Sequence, residues 1–169
     1  MRFFYLDTSA IVKRYRTETG SDVVNEIYDR RSFGDQLITS HFSCLEFESL
    51  ASRALKGNVL SREAYNTMLG SFAKDLGRLL NVMEVDGGTL TYAIQGARAH
   101  GLRPGDAMQY GANFVEVRDS QDDAGYVFVC SDQELLRAVI PLVRVEALNP
   151  ESDNAMDRLR HLRKPKKKS

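Results

Sequence analysis

Arg2-Phe3-Phe4-Tyr5-Leu6-Asp7-Thr8-Ser9-Ala10 opens the chain with an aromatic, apolar run that stops on an acid and gives way at once to hydroxyl and alanine residues. A short run bounded in this way predicts a buried strand over Arg2–Leu6. The residues beyond it predict a helix over Ser9–Tyr15, so the chain begins as a strand feeding a helix. The same alternation continues outward. Helix is predicted at Ser21–Arg30, strand at Leu37–Thr39, helices at Phe42–Leu55 and Ser61–Leu79, and strand at Leu80–Val85. Helices follow at Thr89–His100 and Pro104–Arg118, then strand at Tyr126–Cys130, helix at Gln133–Val139 and strand at Leu142–Ala147. Strands separated by helices predict a three-layer α/β/α sandwich with a central, mainly parallel sheet.

The 169 residues are 43% hydrophobic and 27% charged, which excludes a disordered chain, a collagen-like fibre and a disulfide-stapled miniprotein. Cys44 and Cys130 lie among apolar neighbours and read as buried thiols of a reducing compartment. No apolar run approaches the ~20 residues of a bilayer span, and Asp7 interrupts the amino terminus too early for a signal peptide. A cytoplasmic protein without a membrane segment is expected. One domain over 1–148 is expected, followed by a basic, mobile tail over 149–169. The net charge of zero hides an asymmetry: 158–169 hold seven basic side chains and no acid, which leaves 1–157 with a formal charge of −7. Such a tail reads either as a solvated end or as an arm that attracts an anionic partner.

An acidic body raises the question of where its carboxylates gather. In open parallel sheets, ligands bind beyond the carboxyl ends of the strands. Asp7 ends the first strand, and Asp132 follows the strand Tyr126–Cys130. Asp106 opens the helix after Arg103-Pro104-Gly105, and Glu46 lies in the first turns of the helix after the second strand. Crowded carboxylates repel one another, and a divalent cation removes that conflict. The sequence has no Cys/His pair at zinc spacing, so oxygen ligation of Mg²⁺ or Mn²⁺ is the fitting chemistry, with phosphodiester hydrolysis as its natural reaction. Each acid also has a plain structural role open to it. Asp7 can cap the helix near Ser9, Ser43-Cys44-Leu45-Glu46 and Ser131-Asp132-Gln133-Glu134 match capping boxes, and Asp106 suits a helix amino terminus. Glu48 competes with Glu46, since both flank the apolar arc of Phe47, Leu50, Ala51 and Ala54, although the Ser43-x-x-Glu46 pattern favours Glu46.

Four segments, in order, resemble the motifs of PIN-domain nucleases, especially the VapC toxins of type II toxin–antitoxin systems. They are Tyr5-Leu6-Asp7-Thr8-Ser9-Ala10, Thr39-Ser40 with Ser43-Cys44-Leu45-Glu46, Gly105-Asp106-Ala107-Met108-Gln109, and Val127-Phe128-Val129-Cys130-Ser131-Asp132. The resemblance spans about 1–148. It implies a metal-dependent endoribonuclease in which Asp7, Glu46, Asp106 and Asp132 form the catalytic site and bind Mg²⁺ or Mn²⁺. Ser9 and Ser131 would orient Asp7 and a water or phosphate on the metal. A homodimer and a cognate antitoxin occupying the site are implied as partners, with RNA as substrate. Gln109 and Tyr110 depart from the pattern, because many relatives carry His there. The alternative is a PIN-like scaffold that binds RNA or protein without cutting, and the intact set of acids weighs against it. An aspartyl-phosphate phosphatase would need a second Asp where Ser9 stands. The excess of apolar side chains at Phe42, Phe47, Tyr65, Met68 and Phe72 predicts an interface with a second copy or an antitoxin.

Overall fold

The opening strand becomes the centre of the sheet. In the computed structural model, which describes residues 2–29, 34–119, 125–142 and 144–164, five parallel strands lie in the order β3-β2-β1-β4-β5. They are β1 (Arg2–Leu6), β2 (Gln36–Ser40), β3 (Leu80–Met83), β4 (Gly125–Val129) and β5 (Val145–Leu148). Phe4 pairs with Leu37 on one side and Val127 on the other, and Tyr5 with Ile38 and Phe128. The chain builds outward from β1 to β3, then crosses back to add β4 and β5. The order therefore reverses between β1 and β4, where open α/β sheets form a ligand crevice.

The helices among the described residues are α1 (Thr8–Tyr15), α2 (Ser21–Asp29), α3 (His41–Lys56), α4 (Arg62–Leu76), α5 (Gly87–His100), α6 (Pro104–Asp119), α7 (Gln133–Val139) and α8 (Ala155–Leu162). Successive strand side chains point to opposite faces, and this sorts the helices. Phe4, Leu6, Val127 and Val129 bury one face under α1–α4 and α8. Tyr5, Ile38, Tyr126 and Phe128 bury the other under α5–α7. The result is the expected α/β/α sandwich. No helix among the described residues is long and apolar enough to cross a membrane.

Two expectations change. Phe47, Met68 and Phe72, read as candidates for an interface, are core residues, with the rings of Phe47 and Phe72 4.1 Å apart and Tyr15 edge-on to both. A helix pair lying across a sheet edge absorbs more aromatic bulk than one helical stripe implies. The described part of the presumed tail, in turn, belongs to the fold. Ala155, Leu159 and Leu162 of α8 are buried in the core, Arg158 pairs with Glu146, and Arg163 pairs with Asp35. The spacing of those three apolar residues is helical, but the surrounding basic charge disguises it. Residues 165–169, like Asp122 and Asp123, lie outside the described residues.

Two close approaches hold neighbouring helices and turns together. Gly111 sets α6 directly on α5, since a Cβ there would overlap the Thr89 carbonyl and lie 2.8 Å from the Ala93 nitrogen. Behind α1, the buried Lys13 ammonium is gripped by Glu18 at 2.9 Å and Glu151 at 2.6 Å. Gly20, at φ +83°, completes that clasp, because a Cβ would sit 2.6 Å from the Pro150 carbonyl oxygen. The turn before α2 is thereby sealed against the turn before α8.

Candidate active site

All four acids of the sequence analysis come to the carboxyl edge of the sheet, carried by four different segments. Asp7 follows β1, Glu46 is in the second turn of α3, Asp106 is in the first turn of α6, and Asp132 follows β4. The Asp7 amide donates to the Val129 carbonyl at 3.2 Å, and the Thr39 hydroxyl donates to the Leu6 carbonyl at 2.9 Å. The ends of β1, β2 and β4 are therefore pinned level with one another.

Asp7 is only 6% exposed. Its Oδ1 accepts from the Ala10 amide at 3.0 Å, which caps α1, and from the Ser9 hydroxyl at 2.7 Å. Its Oδ2 accepts from the Cys130 thiol at 3.1 Å. Burial pushes the carboxyl up to about 6, the nearby charge of Glu46 pushes the same way, and the hydrogen bonds from Ser9, Cys130 and Ala10 oppose the rise. Burial and the Asp7 charge likewise push the Cys130 thiol up, so it stays a neutral donor.

Asp132 is exposed and caps α7, its Oδ1 accepting from the amides of Glu134 and Leu135. Ser131 reaches inward through its backbone, whose N–H donates to the Ser9 hydroxyl at 2.9 Å. Asp106 has no hydrogen-bond donor among the described residues, and it is half-buried. Burial raises its carboxyl above the usual range, the charges of Asp132, Glu46 and Glu134 raise it further, and Arg103 counters them.

Glu46 is fastened from two sides. The Thr8 hydroxyl donates to its Oε2, and the Gln109 side-chain amide donates to the same oxygen at 2.8 Å. Its Oε1 faces Gly105, where a Cβ would lie 3.0 Å away. Glu48 is exposed and makes none of these contacts. The capping box around Glu46 does not form. Ser40, the last residue of β2, caps α3 and accepts from the Ser43 amide at 3.2 Å, which places Ser43 inside the helix. Capping is real, however, for Asp7 and Asp132.

Sequence reasoning did not give Gln109, Thr8 and Cys130 roles at this edge. Gln109 stood out only as a departure from pattern, although it lies one turn after Asp106 on α6. In the sequence Cys130 reads as a buried thiol, and nothing in its apolar setting points to Asp7. A groove of about 380 Å³ opens beside Glu46, lined by Thr8, Leu45, Ser49, Leu50 and Arg53.

The donor set is entirely hard oxygen, which fits Mg²⁺ or Mn²⁺ by chemistry. Among the described residues, however, no three acidic, histidine or cysteine side chains are drawn together tightly enough to hold a metal ion. The hydrogen bonds explain this. Asp132 is turned to its own helix, both Asp7 oxygens have donors, and Glu46 has given up one oxygen.

An acid-lined edge at the switch point of a parallel α/β/α sandwich defines the class of the protein. The family follows from sequence: the PIN domain family model matches residues 4–112, and the chain belongs to that family. Its members are generally nucleases that use divalent metals. The matched segment carries Asp7, Glu46 and Asp106, and Asp132 lies beyond it. No functionally curated protein matches the sequence. Among solved structures the chain resembles VapBC2 from Rickettsia felis, solved bound to a DNA fragment from their promoter, at 14% identity and a TM-score of 0.61, over 86% of this chain and 98% of that one. It also resembles PAE2754 from Pyrobaculum aerophilum at 17% identity and TM-score 0.59, over 95% and 89% of the two chains. FitAcB from Neisseria gonorrhoeae matches at 16% identity and TM-score 0.58, over 87% and 97%. At these identities the likeness is one of fold.

Proposed function

We propose that this chain is a metal-dependent endoribonuclease, with Asp7, Glu46, Asp106 and Asp132 as its catalytic and metal-binding acids, acting in the cytoplasm as the toxin of a toxin–antitoxin pair. The observation that carries the reading is the convergence of four acids from four segments on the crevice between β1 and β4, with Glu46 and the turn of Asp106 in contact through Gly105. Among the described residues, Asp106 and Asp132 keep oxygens free of protein donors, and they would turn inward around Mg²⁺ or Mn²⁺. Bound there, the cation would lower the pKa of a water and neutralise charge on the scissile phosphate. The protein's own groups do the rest. Ser9 holds Asp7, and the Ser131 N–H holds Ser9, so the central carboxylate keeps its aim.

Antitoxin control is supported by the resemblance of the four motifs to those of VapC toxins, together with the fold shared with VapBC2 and FitAcB. A second copy of this chain, the other expected partner, has an apolar landing face at Leu90 and Ile94, exposed one turn apart on α5. The competing reading is a PIN-like scaffold that binds RNA or protein without cutting it, and the absence of a closed metal-binding group among the described residues is the observation in its favour. Incubating purified protein with an RNA pool in Mn²⁺, in Mg²⁺ and in EDTA separates the two. Cleavage that needs the metal and disappears in Asp7→Asn supports the nuclease. Binding of RNA with no metal-dependent products supports the scaffold.

A further inference from the structure

Gln109 is 2% exposed, yet its amide makes four hydrogen bonds. Oε1 accepts from the Tyr5 hydroxyl at 2.9 Å and the Ser43 hydroxyl at 3.1 Å. Nε2 donates to Thr8 Oγ1 at 3.1 Å and to Glu46 Oε2 at 2.8 Å. That is the full donor and acceptor capacity of a side-chain amide. The amide cannot be the other way round, because its oxygen would then face a carboxylate oxygen with no proton between them. The Glu46 carboxylate therefore fixes which end of Gln109 it meets, and the Tyr5 and Ser43 hydroxyls, which can donate or accept, serve the amide oxygen left on the other side. Ser43 is itself held by Ser40, 3.1 Å away, so the chain of contacts is anchored in the last residue of β2.

The consequence falls on Glu46. Its Oε2 accepts from both Thr8 and Gln109, while Oε1 has no donor among the described residues and lies against Gly105, next to Asp106. Resting on the nuclease reading above, we propose that Gln109 and Thr8 are positioning residues that make Glu46 a one-oxygen ligand, reserving Oε1 for the cation shared with Asp106. The device has three parts on two helices, α1 and α6. Gln109 on α6 and Thr8 on α1 hold the inner oxygen, and Gly105 keeps clear the space into which the outer oxygen points. A hydrogen-bonded carboxylate oxygen is a poorer electron donor to a metal than a free one, so the arrangement also selects which oxygen binds. Outer partners of this kind typically change metal affinity or activity by about 10–100-fold when removed.

The test is Mn²⁺ affinity, read directly from the loss of the free-ion electron paramagnetic resonance signal during titration of the full chain. Cleavage kinetics are measured beside it. Thr8→Val removes one donor from Glu46 Oε2 without changing side-chain shape, and Gln109→Met removes the other. Thr8→Ser restores the hydroxyl. We expect Thr8→Val and Gln109→Met to bind Mn²⁺ about tenfold more weakly or worse, with Thr8→Ser close to wild type. Cleavage should fall through kcat at unchanged KM for RNA. Gln109→Met also leaves the Tyr5 and Ser43 hydroxyls without an acceptor, so if it fails to fold, Thr8→Val and Thr8→Ser decide alone. Asp106→Asn separates this inference from the function it rests on. Wild type that binds Mn²⁺, with Asp106→Asn impaired but Thr8→Val and Gln109→Met unchanged, overturns the positioning role and leaves the nuclease standing. Wild type that does not bind Mn²⁺, or binds it no better than Asp106→Asn, overturns both.

Discussion

Replacing Asp7 by Asn should stabilise the metal-free protein, and only above mildly acidic pH. The carboxyl rises from its ordinary 3.8 to about 6 in the folded state, chiefly through burial. Between those values the folded protein holds a proton that the unfolded chain releases. The contribution of this one group to stability is therefore greatest below about pH 4, falls as pH rises toward 6, and is level beyond it. At ~1.36 kcal/mol per unit, the loss amounts to about 3 kcal/mol. Asparagine never ionises and fits the same contacts. Its oxygen takes the place of Oδ1 beside the Ala10 amide and the Ser9 hydroxyl, and its NH₂ can donate to the Cys130 sulfur, 3.1 Å from Oδ2. Chemical denaturation in EDTA at pH 4 and pH 7.5 would measure the effect. The two proteins should be nearly equal at pH 4, and Asp7→Asn should be about 3 kcal/mol more stable at pH 7.5, or roughly 6–12 °C in Tm for a chain of this size. An equal gap at both pH values, or a less stable variant at pH 7.5, would refute the idea that a buried charge is the source of the strain. Saturating Mn²⁺ should shrink the gap by stabilising the wild type alone, if the acids hold the cation as proposed.

Gly111→Ala should cost about 3 kcal/mol or more in denaturation midpoint terms, because the added methyl meets the backbone of α5 rather than a side chain that can turn aside. Leu159→Ala should cost about 2–5 kcal/mol, the loss of a fully buried leucine, whereas a solvated tail would show no change.

What the sequence shows and hides follows from how local each signal is. The strands were legible because short apolar runs bounded by polar residues need no partner to be recognised. The acids at the edge were legible too, since a strand's end fixes where the next residue falls. Long-range choices were not. Ser40 and Ser43 both match a cap, and only the length of β2 decides between them. Glu46 and Glu48 flank the same apolar arc, and α6 selects the first by offering it the Gln109 amide. Gln109 itself looks like an ordinary polar helix residue until Tyr5, Thr8, Ser43 and Glu46 surround it, contacts that reach across 104 positions to Tyr5 and 66 to Ser43. The basic residues of α8 outweighed three buried apolar ones, because charge is counted from composition whereas burial depends on neighbours.

The central place of β1 has a consequence for how the molecule is made. The strand is the first to be synthesised, yet β4, its partner on the acid side, follows far later, and the Cys130–Asp7 bond spans 123 positions. At about 5–20 residues per second, β1 waits roughly 6–25 seconds on the ribosome for that partner. Through this interval a nascent chain holds Phe3-Phe4-Tyr5-Leu6 as an open strand edge, a natural client for chaperones. It also holds Asp7 apart from Asp132. A fold ordered in this way delays the assembly of its acidic crevice until β4 and Asp132 have been translated, so any activity housed there begins only after that strand has docked beside β1.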